Sequence, residues 1–437
     1  MRIDPQIELL QQAQLAQNIG NWTVVIQCLQ QLVAEKNAQL DRSQILDLAV
    51  NTLIAGDFQQ RWDVAKLFPK LAVGGVEQAI APLIEIAQEE EEDEELRWYA
   101  ARILGEFDHP NAIAALVELL KTADNEELTA MAATALGQIG NSAVAELSKL
   151  LADEETRLLA VRSLGSIRRS EIIAPLLSIV KDPDATIRAV AIEALSSFHN
   201  ADIPPVLLQA LDDIAAPVRR EAVIGLGFRA DLKAELDLVK KLVPKLYDFN
   251  IGVCCASASA LSRLGTDEAA KALYKVLQSP HTPLNLQLEC IRALGRIETY
   301  ACLQYLNSCL QEQSSLPLWQ EIVKVLGQIE QLDLTATAAQ ILIEALKSPQ
   351  INNLPESIKG AIALSLGLLG DVLAVDPLIL LLATTDTSVR LHVIAALQQL
   401  APVKAYQQLQ QLHGDSTLSP ELKQGIAIAL SEWSPLR

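Results

Sequence analysis

A 437-residue chain that is half apolar but only 4% aromatic has ample material for a core, and its lack of long polar tracts excludes intrinsic disorder. Its net charge of −19 repels polyphosphate, which sets nucleic acid aside as a partner. The six cysteines (Cys28, Cys254, Cys255, Cys290, Cys302 and Cys309) form no C-x-x-C pair and no Cys/His zinc spacing, so free thiols in a reducing compartment are expected.

The first residues, Met1 to Pro5, lack the apolar core of a signal peptide, and a cytoplasmic location is expected. Residues 7–15 and 22–33 have the apolar spacing of amphipathic helices, joined at Gly20-Asn21. They carry none of the signature found later in the chain, so residues 1–57 are expected to form an N-terminal helical cap and residues 58–437 a repeat array.

From residue 61 onward a segment close to R-x-x-A-A-x-A-L-G recurs. Its leucine anchors are Leu104, Leu136, Leu164, Leu195, Leu226, Leu261, Leu294, Leu326, Leu366, Leu397 and Leu430. The mean interval is about 33 residues, within the range of helical repeat proteins. Phe68 adds one unit upstream, because Arg61-Trp62-Asp63-Val64-Ala65-Lys66 aligns with Arg97-Trp98-Tyr99-Ala100-Ala101-Arg102.

Each unit has the pattern of two helices. Residues 172–180 show helical apolar spacing; Asp182-Pro183-Asp184-Ala185-Thr186 supplies a turn and capping residues; a second helix is expected from Ile187 through Ala191 and Leu195. A glycine after the anchor (Gly105, Gly137, Gly165, Gly227, Gly295, Gly327, Gly367) is expected to end or bend the second helix. Seven residues before the anchor a basic residue recurs (Arg61, Arg97, Arg157, Arg188, Arg219, Lys359, Arg390, Lys423), and a ladder of Arg–Asp pairs stitching unit to unit is expected from it. The most apolar stretch, 360–383, is broken by Asp371, Asp376 and Pro377, which predicts two short buried helices and a turn, not a membrane span.

The pattern R-x-x-A-A-x-A-L-G-x-I-G, clearest over residues 128–140 and 186–195, resembles HEAT-like repeats of the phycobilisome-lyase type. The resemblance covers residue 61 to about residue 433. It implies an all-α fold of the armadillo-like kind: a right-handed superhelical α-solenoid of about twelve HEAT-like helix pairs behind the N-terminal cap. In lyase subunits an aromatic pair precedes the two alanines, and Trp98-Tyr99-Ala100-Ala101 is similar. The resemblance therefore also implies an alternative role, as a subunit of a phycobilin lyase or a tetrapyrrole chaperone with a phycobiliprotein as its partner.

In such folds the second helix lines the concave face, and positions six, five and two before the anchor point at a partner. Trp62, Lys66, Trp98, Tyr99, Arg102, Met131, Leu159 and Arg162 are the expected contacts. Trp, Tyr and Arg dominate interface energies, and two of the five tryptophans stand at equivalent positions. The acidic run 89–95 fits a solvated turn and a favourable helix N-terminus. The five histidines are scattered, and no nucleophile, phosphate-loop, metal or cofactor motif occurs. The expectation is a non-catalytic protein-interaction scaffold or assembly chaperone that holds a partner protein, without a cofactor, a metal or membrane insertion.

Overall fold

A computed structural model describes residues 5–34, 42–73, 75–312, 315–349, 351 and 354–433. Among these residues there are 26 α-helices and no strand. The helices fall into consecutive pairs, one of which is Val76–Gln88 with Glu94–Leu104 and the next Pro110–Thr122 with Glu126–Ile139. Two compact units are present, divided between Val206 and Leu207.

In each unit the helices form two layers. Within the first, the second helices Phe58–Leu71, Glu94–Leu104, Glu126–Ile139, Arg157–Ser166 and Ala185–Leu195 pack one on the next, while Val76–Gln88, Pro110–Thr122 and Asn141–Leu150 form the other layer. The second unit repeats this arrangement from Ala216–Gly227 through Thr387–Leu400. The anchors make the seam between the layers. Phe68 and every leucine anchor from Leu104 to Leu397 are 0% exposed, and Leu430, in the last helix, is half-buried. At about 25 cal/mol per Å2 of apolar surface, this repeated burial is the main favourable term in the array.

Local signals set the helix starts. Asp184 accepts from the Thr186 amide at 2.7 Å, and Asn125 accepts from Glu127 and Leu128. Asp57 and Gln60 form a reciprocal capping box. The second helix of the 172–195 unit begins at Ala185, two residues before the sequence-based start, because the Asp184 cap takes the last extended position.

The recurrent basic residue has two jobs. It first satisfies carbonyls at the end of the preceding helix or in the turn after it, which have no intrahelical donor. Arg61 donates to Leu53 and Ile54, Arg157 to Leu151 and Ala152, and Arg219 to Asp213 and Ile214. The remaining guanidinium nitrogens then reach forward to the next turn. Arg61 meets Asp93 at 2.8 Å, Arg157 meets Asp182 at 2.9 Å, and Arg219 grips Asp248 through two bonds of 2.8 and 2.7 Å. The expected ladder is present at these rungs. Lys359 instead bonds Glu356 of its own helix, and Lys423 the Ser416 carbonyl.

One expectation holds only in part. Gly105 and Gly327 cap the ends of their helices and Gly227 is the last residue of its own, whereas Gly137, Gly165, Gly295 and Gly367 lie inside helices. At all of these sites but Gly165, the next second helix comes too close for a side chain. A Cβ on Gly105 would stand 2.7 Å from the Ala135 methyl, and one on Gly367 2.9 Å from Ala396 Cα. Helices also pair among the amino-terminal residues. Arg42–Ala55 packs on Phe58–Leu71, and Pro5–Asn18 packs on Trp22–Ala34. The amino-terminal residues thus share the two-layer arrangement although they lack its sequence signature.

Candidate functional site

The face of the second-helix layer in the first unit gathers a cluster of four aromatic residues, Phe58, Trp62, Trp98 and Tyr99. Tyr99, on Glu94–Leu104, lies at the centre. It is 1% exposed, its hydroxyl donates to the Phe58 carbonyl at 3.3 Å, and three rings meet it edge-on. Ring centroids lie 6.2 Å away for Phe58, 6.5 Å for Trp62 and 5.2 Å for Trp98, within the range favoured by the aromatic quadrupole. Burial, with Glu95 nearby, raises the Tyr99 hydroxyl above its ordinary pKa.

Trp62 and Trp98 are partly exposed and have different surroundings. The Arg102 guanidinium lies over the Trp62 ring at 4.4 Å and the Lys66 ammonium at 5.1 Å. Each such contact contributes about 0.5–1 kcal/mol at an exposed site. Among the described residues no cation is seated over Trp98. Its ring borders a cavity of about 430 Å3 lined by Phe58, Trp98, Glu94, Glu95, Asn125 and Glu127, with Tyr99 and Leu128 also in its wall.

The expected contact residues therefore divide. Trp62, Lys66, Trp98, Arg102, Met131, Leu159 and Arg162 all reach solvent on this face, in the register expected from the anchors. Tyr99 does not; its position on the helix turns it under Trp62 and against Phe58, so it holds the cluster and is shielded from a partner. Phe58 was not identified from the sequence, yet it is 64% exposed. Its signal was the capping box at Asp57, which starts a helix at Phe58 and leaves that ring on the first, solvent-facing turn.

The acidic turn beside the cluster is organised by Arg61. Its hydrogen bond holds the Asp93 carboxyl below the usual carboxylate range, and Glu95 lies 3.6 Å from the same guanidinium. Glu94 accepts from Asn125 at 2.8 Å, which ties this turn to the next. Among the described residues no group of three or more His, Cys, Asp or Glu stands where it could hold a metal, and no helix is long and apolar enough to cross a membrane. Burial raises the thiols of Cys28, Cys254, Cys255, Cys290, Cys302 and Cys309, the last to about 12, so they are weak nucleophiles.

Comparison with known proteins agrees with this architecture. The family model described as HEAT repeats matches residues 80–155 and 144–227. No curated protein matches the chain in sequence. Among solved structures, the chain is similar to a subunit in a homology model of the full-length AP-3 complex in an intermediate open conformation, with 12% identity and a TM-score of 0.50, covering 99% of this chain and 93% of that one. It is also similar to importin beta crystallised in ammonium sulfate, with 16% identity and a TM-score of 0.52 over 96% of this chain. A third similar structure, at 14% identity and a TM-score of 0.51 over 99% of this chain, is one in which Kap95p binding induces the switch loops of RanGDP to adopt the GTP-bound conformation. The chain spans 64% and 66% of those last two proteins. Residues 80–227 are thus HEAT repeats, and the fold of the chain is that of an α-solenoid.

Proposed function

We propose that this protein is a non-catalytic interaction scaffold or assembly chaperone that holds a partner protein on the second-helix face of its first unit. One observation carries the proposal: Trp62 and Trp98 stand at equivalent positions of successive repeats, each partly in solvent, and buried Tyr99 fixes both from beneath. Aromatic rings held in this way lose little entropy when a partner covers them, and such anchors dominate interface energies. Lys66, Arg102, Met131, Leu159 and Arg162 extend the surface around them. Kap95p, which shares the fold, engages a protein, RanGDP, and this supports the class of partner without naming it.

The test is capture of a partner from the native organism's lysate by wild type and by a Trp62→Ala/Trp98→Ala variant. We expect a protein recovered by wild type and lost by the variant, with unchanged helical circular dichroism. Equal recovery by both folded proteins would remove the aromatic pair from the interface. The phycobilin-lyase alternative is weakened by the burial of Tyr99, which leaves Trp98 as the accessible member of the aromatic pair. That alternative requires a visible absorbance band on mixing with a linear tetrapyrrole, perturbed by Trp98→Ala.

A further inference from the structure

The turns that precede the second helices lie side by side along one edge of the first unit. Arg61 bonds Asp93 across two such turns, Asn125 bonds Glu94, and Arg157 bonds Asp182. This edge concentrates acidic residues: every residue from Glu89 to Glu95, then Asp124, Glu126 and Glu127, then Asp153, Glu154 and Glu155 is acidic.

The aromatic cavity opens within that edge. Phe58 and Trp98 form its apolar walls, and Glu94, Glu95 and Glu127 bring carboxylates to it. Phe58 meets the edge of Tyr99 yet is 64% exposed, so most of its apolar ring surface is open to a partner. The two tryptophans provide an internal comparison. Trp62 already carries the protein's own cations, Arg102 and Lys66, whereas Trp98 meets the edge of Tyr99 and, among the described residues, no cation. An aromatic wall beside carboxylates recognises one chemistry well: a cationic head on an alkyl stem, with the stem against the rings and the head among the acids.

We infer that the groove between Phe58 and Trp98 receives a lysine or arginine side chain of a basic segment in the partner protein. The inference rests on the scaffold function proposed above and specifies the partner's chemistry. Trp98 and Phe58 supply the ring surface, while Glu94, Glu95 and Glu127 supply the counter-charge. Asp93 is held by Arg61 and keeps the turn in place.

Fluorescein-labelled octa-lysine and octa-arginine peptides, titrated at physiological salt into the full chain, test this. Two variants of identical net charge are compared: Glu94→Gln/Glu95→Gln/Glu127→Gln in the groove, and Glu106→Gln/Glu154→Gln/Glu155→Gln at exposed positions outside it. We expect the groove variant to bind at least about tenfold more weakly than the control variant, and Trp98→Ala to weaken binding while the thermal melt is unchanged. Equal weakening by the two triple variants would overturn the inference, because the diffuse negative field would then account for binding. If Trp98→Ala abolishes capture of the native partner but the groove variant retains it, the scaffold function stands and the basic-segment inference falls. If peptides distinguish the two triple variants while capture survives every change, the groove is cation-binding and the scaffold function at Trp98 falls.

Discussion

Tyr99 joins two repeats through one side chain: its ring meets Phe58, Trp62 and Trp98, and its hydroxyl reaches the Phe58 carbonyl. Tyr99→Ala removes a fully buried ring and is expected to cost about 3–5 kcal/mol, whereas Tyr99→Phe, which loses one hydrogen bond, is expected to cost about 1 kcal/mol. Urea denaturation separates the two; a Tyr99→Ala cost below that of Tyr99→Phe would show that the ring does not hold the cluster. A second residue-scale prediction concerns Asp248, whose side chain is 7% exposed and is gripped by Arg219. The Arg219 hydrogen bonds hold its carboxyl below the usual range, against an unfolded value of about 3.9. A carboxyl lowered in the folded state stabilises fully above the unfolded value, and that contribution disappears as pH falls through the folded one. Asp248→Asn should therefore cost about 1.5–3 kcal/mol at pH 7, the range for a charged hydrogen-bonded pair, and the gap from wild type should narrow below about pH 4. A gap that stays constant from pH 7 to pH 3 would show that the pair's charge is not the source of the cost.

At the scale of helices, the post-anchor glycines explain how closely successive second helices approach. Adding a methyl at Gly367 brings it within 2.9 Å of Ala396 Cα and 3.0 Å of its Cβ, so backbone must move. At Gly165 the nearest atom is the Ala194 methyl at 3.3 Å. Alanine at either site gains about 1 kcal/mol of helix propensity, and forced overpacking costs about 1–3 kcal/mol. Gly367→Ala should thus lower the melting temperature, while Gly165→Ala should lie near neutral; the reverse order would contradict the packing account. This role was hidden in the sequence because a glycine after a leucine fits a helix end as well as a close crossing, and only the neighbouring helix distinguishes them. The anchors themselves were legible, since an apolar residue recurring in register must meet the same seam in every unit. Capping residues such as Asp184 were legible for the same local reason. Tyr99 and Phe58 were not: whether a ring is covered depends on a contact 41 positions away, and no local periodicity encodes that distance. Residues 5–34 pack as a helix pair without the repeat motif, because pairing needs an apolar stripe on each helix and not the particular residues of the signature.

Across the whole chain, the interactions that hold the helices are short in sequence. Tyr99 reaches Phe58, Ser365 reaches the Val323 carbonyl, and Arg219 reaches Asp248, each about one repeat away. An array built from such contacts has a stability set by each repeat and its neighbours, so damage near an end need not spread. Leu397 is 0% exposed on Thr387–Leu400, and Leu397→Ala should remove about 2–5 kcal/mol from its own and adjacent repeats. Leu164, also 0% exposed, sits in Arg157–Ser166 between Glu126–Ile139 and Ala185–Leu195, so Leu164→Ala should disturb that different set of helices. Amide hydrogen exchange reads the difference. For Leu397→Ala we expect protection to fall across Glu356–Leu369, Thr387–Leu400 and Pro420–Glu432, with Glu94–Leu104 and Glu126–Ile139 unchanged. The Trp62–Trp98 surface should then still bind its basic peptide in this variant, since the helices that carry it lie many repeats away in sequence. A uniform loss of protection in every helix would instead mean that the chain unfolds as one cooperative body, and that the binding surface draws its rigidity from the full length of the array.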